Sequence, residues 1–238
     1  MTEFSKSSRD LLQFSVVIAT YNDWLPLNRC LGSLAAQVGA PGFEVIVVDD
    51  GSREMAPDFI REWSRYFPVT VVRPAAVYGP READIFAYFK MVRQGLVAIP
   101  RLTQKVSFIH VLDLVDAMIQ AVHSPQAVGQ VYFVSDGKSY SWEEFSGFIG
   151  QCLKKSYLTF KVPMGIVKMV AVLGELAEKL TGKASILNVD KVKEAAFSSW
   201  VCSNRKICQG LGFNPRFEIQ RGIENTVQFY HSAGWLKP

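Results

Sequence analysis

The sequence is poor in the residues that build covalent or metal staples. Its four cysteines are Cys30, Cys152, Cys202 and Cys208, and no two form a C-x-x-C pair. Only three histidines accompany them. This excludes the usual zinc spacings, so no metal site is expected. The spacing is also unlike a secreted disulfide framework, which favours a reducing, cytoplasmic location. Residues 1–12 are polar and lack the apolar core of a secretory leader. No apolar run reaches the about 20 residues of a membrane span. The longest, Met164 to Leu173, is interrupted by Lys168. It reads as a buried helix, with a membrane-surface helix as the alternative. Charge of one sign is scarce too. With 26 basic and 22 acidic residues the net charge is +4, and there is no long basic run. A nucleic-acid partner is therefore not expected.

Apolar residues are plentiful, at 49% of 238. A chain of that length and composition can bury a core without staples. Phe14 to Ala19, Glu44 to Val48 and Pro68 to Val72 are short β-branched runs suited to buried parallel strands. Between the first two, Leu25, Leu27, Leu31 and Leu34 recur at near-helical spacing; between the second and third, Phe59, Ile60 and Trp63 do so. Alternating strands and helices indicate β-α-β units. Further along, helices are expected at Ile85 to Gly95 and Leu112 to Val122, and strands at Val106 to Val111 and Val131 to Val134. Ser141 and Glu144 have capping-box spacing. Short helices and loops follow from Phe160, and Ile219 to Trp235 reads as a closing amphipathic helix. The expected fold is α/β, a Rossmann-like parallel sheet with a small, mostly helical C-terminal lobe.

Val16-Val17-Ile18-Ala19-Thr20-Tyr21-Asn22 and Glu44-Val45-Ile46-Val47-Val48-Asp49-Asp50-Gly51-Ser52 lie about one helix apart. This pairing resembles the start of the family 2 (GT-A) glycosyltransferases over residues 14–52. The resemblance implies nucleotide binding by Thr20, Tyr21, Asn22, Asp49 and Asp50. A carboxylate at the carboxyl end of a parallel strand can accept a uracil N–H or a ribose hydroxyl. Without a ligand, the same acids serve as a solvated strand-ending turn. The family's later D-x-D does not follow; Glu82-Ala83-Asp84 has similar spacing but lies in the other pattern.

From residue 59 to 238 the chain resembles the C-terminal half of the extended short-chain dehydrogenases/reductases, the NAD-dependent epimerase/dehydratase and 3β-hydroxysteroid dehydrogenase-like proteins. The matching stretches are Val69 to Arg81, which reads VTVVRPAAVYGPR, Ser107 to Ala117, which reads SFIHVLDLVDA, and Gly129 to Trp142. The resemblance implies an NAD(P) cofactor. It places Arg73, Pro74, Tyr78, Gly79, Arg81 and His110 near substrate or cofactor. Two parts of that chemistry are missing. The first strand leads into Thr20-Tyr21-Asn22-Asp23 instead of a glycine-rich turn. No Tyr-x-x-x-Lys lies one helix before Arg73, and that pair is the family's general acid/base.

The economical reading is a chimera: residues 1–57 are a glycosyltransferase-like βαβ fragment, and residues 58–238 a reductase-like half with its substrate lobe. The expected function is that of an NAD(P)-dependent epimerase/dehydratase-family protein, catalytically impaired. A nucleotide-sugar-binding glycosyltransferase fragment and a folded non-catalytic chimera are the alternatives. No catalytic residue is assigned, NAD(P) binding is expected to be weak or absent, and a monomer is expected. A nucleotide or nucleotide-sugar is the candidate ligand.

Overall fold

The computed structural model describes residues 12–101, 105–169, 172 and 199–236. The chain divides into two compact units, each discontinuous in sequence. The first comprises residues 1–75, 112–137 and 202–216; the second comprises 76–111, 138–201 and 217–238.

The first unit is built on a four-stranded sheet. Its strands are β1 (Leu12–Thr20), β2 (Gly42–Asp49), β3 (Val69–Pro74) and β8 (Val131–Val134), in that order. All three pairings are parallel. Strands β1 and β2 thus continue directly into β3 and β8 in one sheet. Helix α1 (Trp24–Ala35) buries Leu27 and Leu31, and α2 (Phe59–Trp63) buries Ile60. These side chains pack with Val45, Val47, Val69 and Val71, so one core crosses the junction of the two resemblances. The β-branched residues that made these runs legible occupy both faces of β2 and β3, as central parallel strands require. At the edge, β1 leaves Phe14 and Val17 exposed. Of the face expected from spacing, Leu114, Ala117, Met118 and Ala121, helix α4 (Val111–His123) buries all but Met118, which is half-buried. Helix α6 (Arg205–Leu211) completes the unit.

The second unit has an aromatic core. Helices α3 (Phe86–Gln94), α5 (Trp142–Leu153) and α7 (Ile219–Ser232) surround it. Phe89, Phe108, Phe145, Tyr78 and Tyr230 are fully enclosed there. The capping box of α5 forms as expected: Ser141 Oγ accepts from Glu144 N–H, and Glu144 accepts from Ser141 N–H.

This lobe holds more strand than the sequence reading assigned. Three two-stranded parallel ribbons pair β4 (Ala76–Tyr78) with β7 (Phe108–His110), β5 (Leu96–Pro100) with β9 (Leu158–Val162), and β6 (Lys105–Val106) with β10 (Ser199–Trp200). The single strand expected at Val106 to Val111 is therefore two. Ser107 separates them, its N–H bonded to Trp200 O and its carbonyl to Ala76 N–H. The expected burial of Met164 to Leu173 is also corrected. Residues 164–169 are helical, but Ile166 and Met169 are exposed, as is Val172. Residues 170, 171 and 173 of that stretch lie outside the described residues, as do residues 1–11. No described helix is long and apolar enough to cross a membrane.

Candidate active site

The candidate residues form two clusters, one in each unit. In the first unit, strand register determines what meets. Val45 pairs with Val69 and Val48 with Val72, so the next step sets Asp49 beside Arg73. Arg73 Nε lies 2.9 Å from Asp49 Oδ2. Both are buried, Asp49 fully and Arg73 to within 7%. The Nε–H is not aimed at that oxygen, so the contact is an ion pair without a well-formed hydrogen bond. The guanidinium also donates through Nη2 to Ser52 O and lies 5.2 Å over the Phe133 ring. Asp49 Oδ1 accepts from Ser52 N–H at 2.9 Å. A solvated acid was expected at position 49; the structure instead gives an enclosed one held by a cation. A buried charge needs such a partner, because desolvation is costly.

Around this pair a loop closes. Asn22 donates its N–H to Ser52 Oγ at 2.8 Å, and its Oδ1 accepts from Arg53 N–H at 2.9 Å. Asn22 adopts φ 54°, a left-handed conformation that asparagine tolerates. Asp50 N–H bonds Thr20 O at 2.9 Å, tying the ends of β1 and β2 together. The Asp50 and Tyr21 side chains face solvent. Thr20 Oγ1 is buried and has no hydrogen-bond partner. Pro74 closes β3, half-buried.

A pyrophosphate cradle after a first strand needs open backbone N–H groups at a glycine-rich turn. Here the Asn22 N–H is taken by Ser52, and no glycine lets a ligand approach closely. The residues present do not fit a dinucleotide in that manner.

In the second unit, Tyr78 and His110 are strand partners on β4 and β7. Their rings meet edge-to-face at 5.3 Å, and His110 stacks on Phe217 at 4.0 Å. Both side chains are enclosed. Gly79 has φ 139°, and a Cβ there would come within 2.7 Å of Val111 Cγ1. Gly222 on α7 is equally constrained: its Cβ would fall 2.0 Å from the Tyr78 hydroxyl. Tyr78 is thus a ring locked into the core. Arg81 is exposed, with φ 71°.

Sequence reasoning missed Ser52, which joins Asn22, Asp49 and Arg73. Its signal was the Asp-x-x-Ser spacing of an Asx-type turn. Asp113 was missed as well. It is buried, accepts Arg216 N–H at 3.1 Å and lies near the Arg216 guanidinium, which also pairs with Asp116. Gly222 had no local signal, because its reason is a ring supplied by a distant strand. The chain contains one Tyr-x-x-x-Lys, from Tyr157 to Lys161. That stretch runs into β9, where four residues extend about 13 Å, so the pair does not share a helix face. Burial, then the charge of Glu143, pushes the Tyr157 hydroxyl's pKa up, away from a general base.

Two family models match the chain. That of glycosyl transferase family 2 matches residues 15–83, and that of the NAD dependent epimerase/dehydratase family matches residues 53–135. The two matches overlap over residues 53–83. It is similar to a ceramide reductase of Caulobacter vibrioides, 25% identical over 70% of this chain and 52% of the relative. It is also similar to a validoxylamine A glucosyltransferase of Streptomyces hygroscopicus, 52% identical over 21% of this chain and 11% of the relative. The chain spans about half the length of the curated relatives that it matches over most of its own length. A solved dTDP-glucose 4,6-dehydratase of Bacillus anthracis, in complex with NAD, shares the fold. It is 15% identical, with a TM-score of 0.59 over 94% of this chain and 75% of that one. The α/β fold read from the sequence is that of Rossmann-type epimerases and dehydratases, and resemblance to both families extends to the strands that meet at Asp49 and Arg73.

Proposed function

We propose that this is an epimerase/dehydratase-type fold without hydride- or sugar-transfer chemistry, joined to its glycosyltransferase-like start between residues 51 and 57. The observation that carries this reading is the Asp49–Arg73 pair. Each parent resemblance assigns one member to a ligand. Here they neutralise each other inside the sheet. The nearby turn has no glycine and its Asn22 N–H is already bonded to Ser52 Oγ, which supports weak or absent NAD(P) binding. The exposed part of the edge, Tyr21 and Asp50 beside the unpartnered Thr20 hydroxyl, suits a uridine-type nucleotide held through its base or ribose.

The test is a titration with NADH and with a uridine diphosphate sugar, followed by tryptophan fluorescence and calorimetry. The reading expects weak uridine-nucleotide binding and little or no response to NADH. Asp50→Asn should weaken the nucleotide about ten-fold or more, the loss of a hydrogen bond to a charged group. Tight NADH binding, or sugar transfer with added manganese, would overturn it.

A further inference from the structure

Helix α5 ends in a way that folding alone does not ask for. Helix α3 closes on Gly95, φ 83°, and α6 on Gly212, φ 72°. Helix α5 closes instead on Lys154, φ 51°. A Cβ makes the left-handed conformation costly, which is why glycine suits the other two positions. Lys155, Ser156 and Tyr157 follow. The Tyr157 ring doubles back onto the helix: a Cβ on Gly150 would come within 2.7 Å of it, and one on Gly147 would lie 3.8 Å from its hydroxyl. Between ring, cap and helix lies a recess of about 450 Å³, lined by Gln151, Lys154, Lys155, Ser156 and Tyr157 over the two glycines.

That volume suits a small molecule, and the lining says of which kind. It offers two ammonium groups, two hydroxyls and a carboxamide, and no carboxylate. Among the described residues, no hydrogen bond or ion pair engages these five side chains. The last carbonyls of α5 are not open to repel an anion, since Gly150 O and Gln151 O accept from Lys155 N–H and Lys154 N–H. Glu143, whose charge reaches Tyr157, is itself paired with Lys161 at 3.2 Å. Burial, then that charge, raises the Tyr157 pKa, so its hydroxyl stays protonated and can donate. Two lysines also complement the helix dipole, but that role does not need one of them at the left-handed position.

We propose that this recess binds a phosphorylated small molecule through its phosphate. Lys154 and Lys155 neutralise the dianion, and the Ser156 and Tyr157 hydroxyls donate to its oxygens. The Gln151 amide is left for the rest of the ligand, a polar body of sugar size. The site lies within the second unit and does not rest on the nucleotide reading of the sheet edge.

Calorimetric titration of the full chain with inorganic phosphate and with glucose 6-phosphate tests this, with glucose as the control. Both anions should bind saturably, the ester more tightly, and glucose should not bind. Lys155→Gln should weaken the ester about ten-fold or more. Tyr157→Phe, which keeps the ring against Gly150, should weaken it about two- to ten-fold. Lys154→Gly should weaken it about ten-fold or more and at the same time raise the melting midpoint by about 2 °C or more, because the ligand and the backbone ask for different residues there. No saturable binding of either anion would overturn the proposal. So would an affinity that survives both Lys154→Gly and Lys155→Gln, or a lower melting midpoint in Lys154→Gly with unchanged affinity, which would make the lysine a cap. A response to phosphatidic acid vesicles with none to the soluble ester would overturn it as well. Neither soluble anion carries a base, so this outcome is read apart from the uridine-nucleotide titration.

Discussion

The two clusters of candidate residues differ in what holds their side chains. At the sheet edge of the first unit, Asp49 and Arg73 are polar groups that satisfy each other. In the lobe, Tyr78 and His110 are held by packing, among Phe108, Phe145 and Phe217. The first outcome depends on which strand lies beside β3. The second depends on residues carried within the reductase-like half itself. What a motif residue touches is thus set by its neighbours: the register of β2 with β3 puts Asp49 against the Arg73 guanidinium.

The largest expected effect would break the sheet-edge side of this comparison. Arg73→Met leaves Asp49 buried without its cation and should cost about 3–5 kcal/mol in urea unfolding. A loss under about 1 kcal/mol would mean that water reaches Asp49. Next comes the lobe. Gly222→Ala drives a methyl into the Tyr78 hydroxyl and should cost about 1–3 kcal/mol, with little change in the first unit's hydrogen exchange. If both units loosen together, the clusters are not independent. Asn22→Ala loses the bond to Arg53 and places alanine at positive φ. It should cost about 1–2 kcal/mol.

The smallest effect concerns acid. Hydrogen bonds from the Ser141 backbone N–H, then from Lys105, hold the Glu144 carboxyl down at about 2. A depressed carboxylate stabilises the fold above its unfolded value, near 4.3, and that contribution is lost as pH falls toward 2. Glu144→Gln should flatten that part of the acid-unfolding profile while still capping α5. An unchanged profile would show that the exposed cap contributes nothing.

Legibility followed the same division. The strands of the first unit were readable because β2 and β3 are buried on both faces, and that burial demands unbroken β-branched runs. The α5 cap was readable because its two partners are three residues apart. In the lobe, β4, β5 and β9 were missed because each is five residues or fewer and gains its identity from a distant partner. Asp49 was legible as a special residue but not as a buried one. The sequence places it at a strand end, where solvent is the default, and only the register with β3 brings a guanidinium over it. Ile166 and Met169 erred in the opposite direction, since an apolar helix is ordinarily buried.

The central claim is that Asp49 and Arg73 serve each other. A double-mutant cycle with Asp49→Asn, Arg73→Met and the pair, followed by urea unfolding, tests it most directly. The account predicts a coupling energy of about 2 kcal/mol or more, with the double variant more stable than Arg73→Met alone. Additive losses, with a coupling energy near zero, would contradict it and return both residues to the ligand roles that their separate resemblances imply.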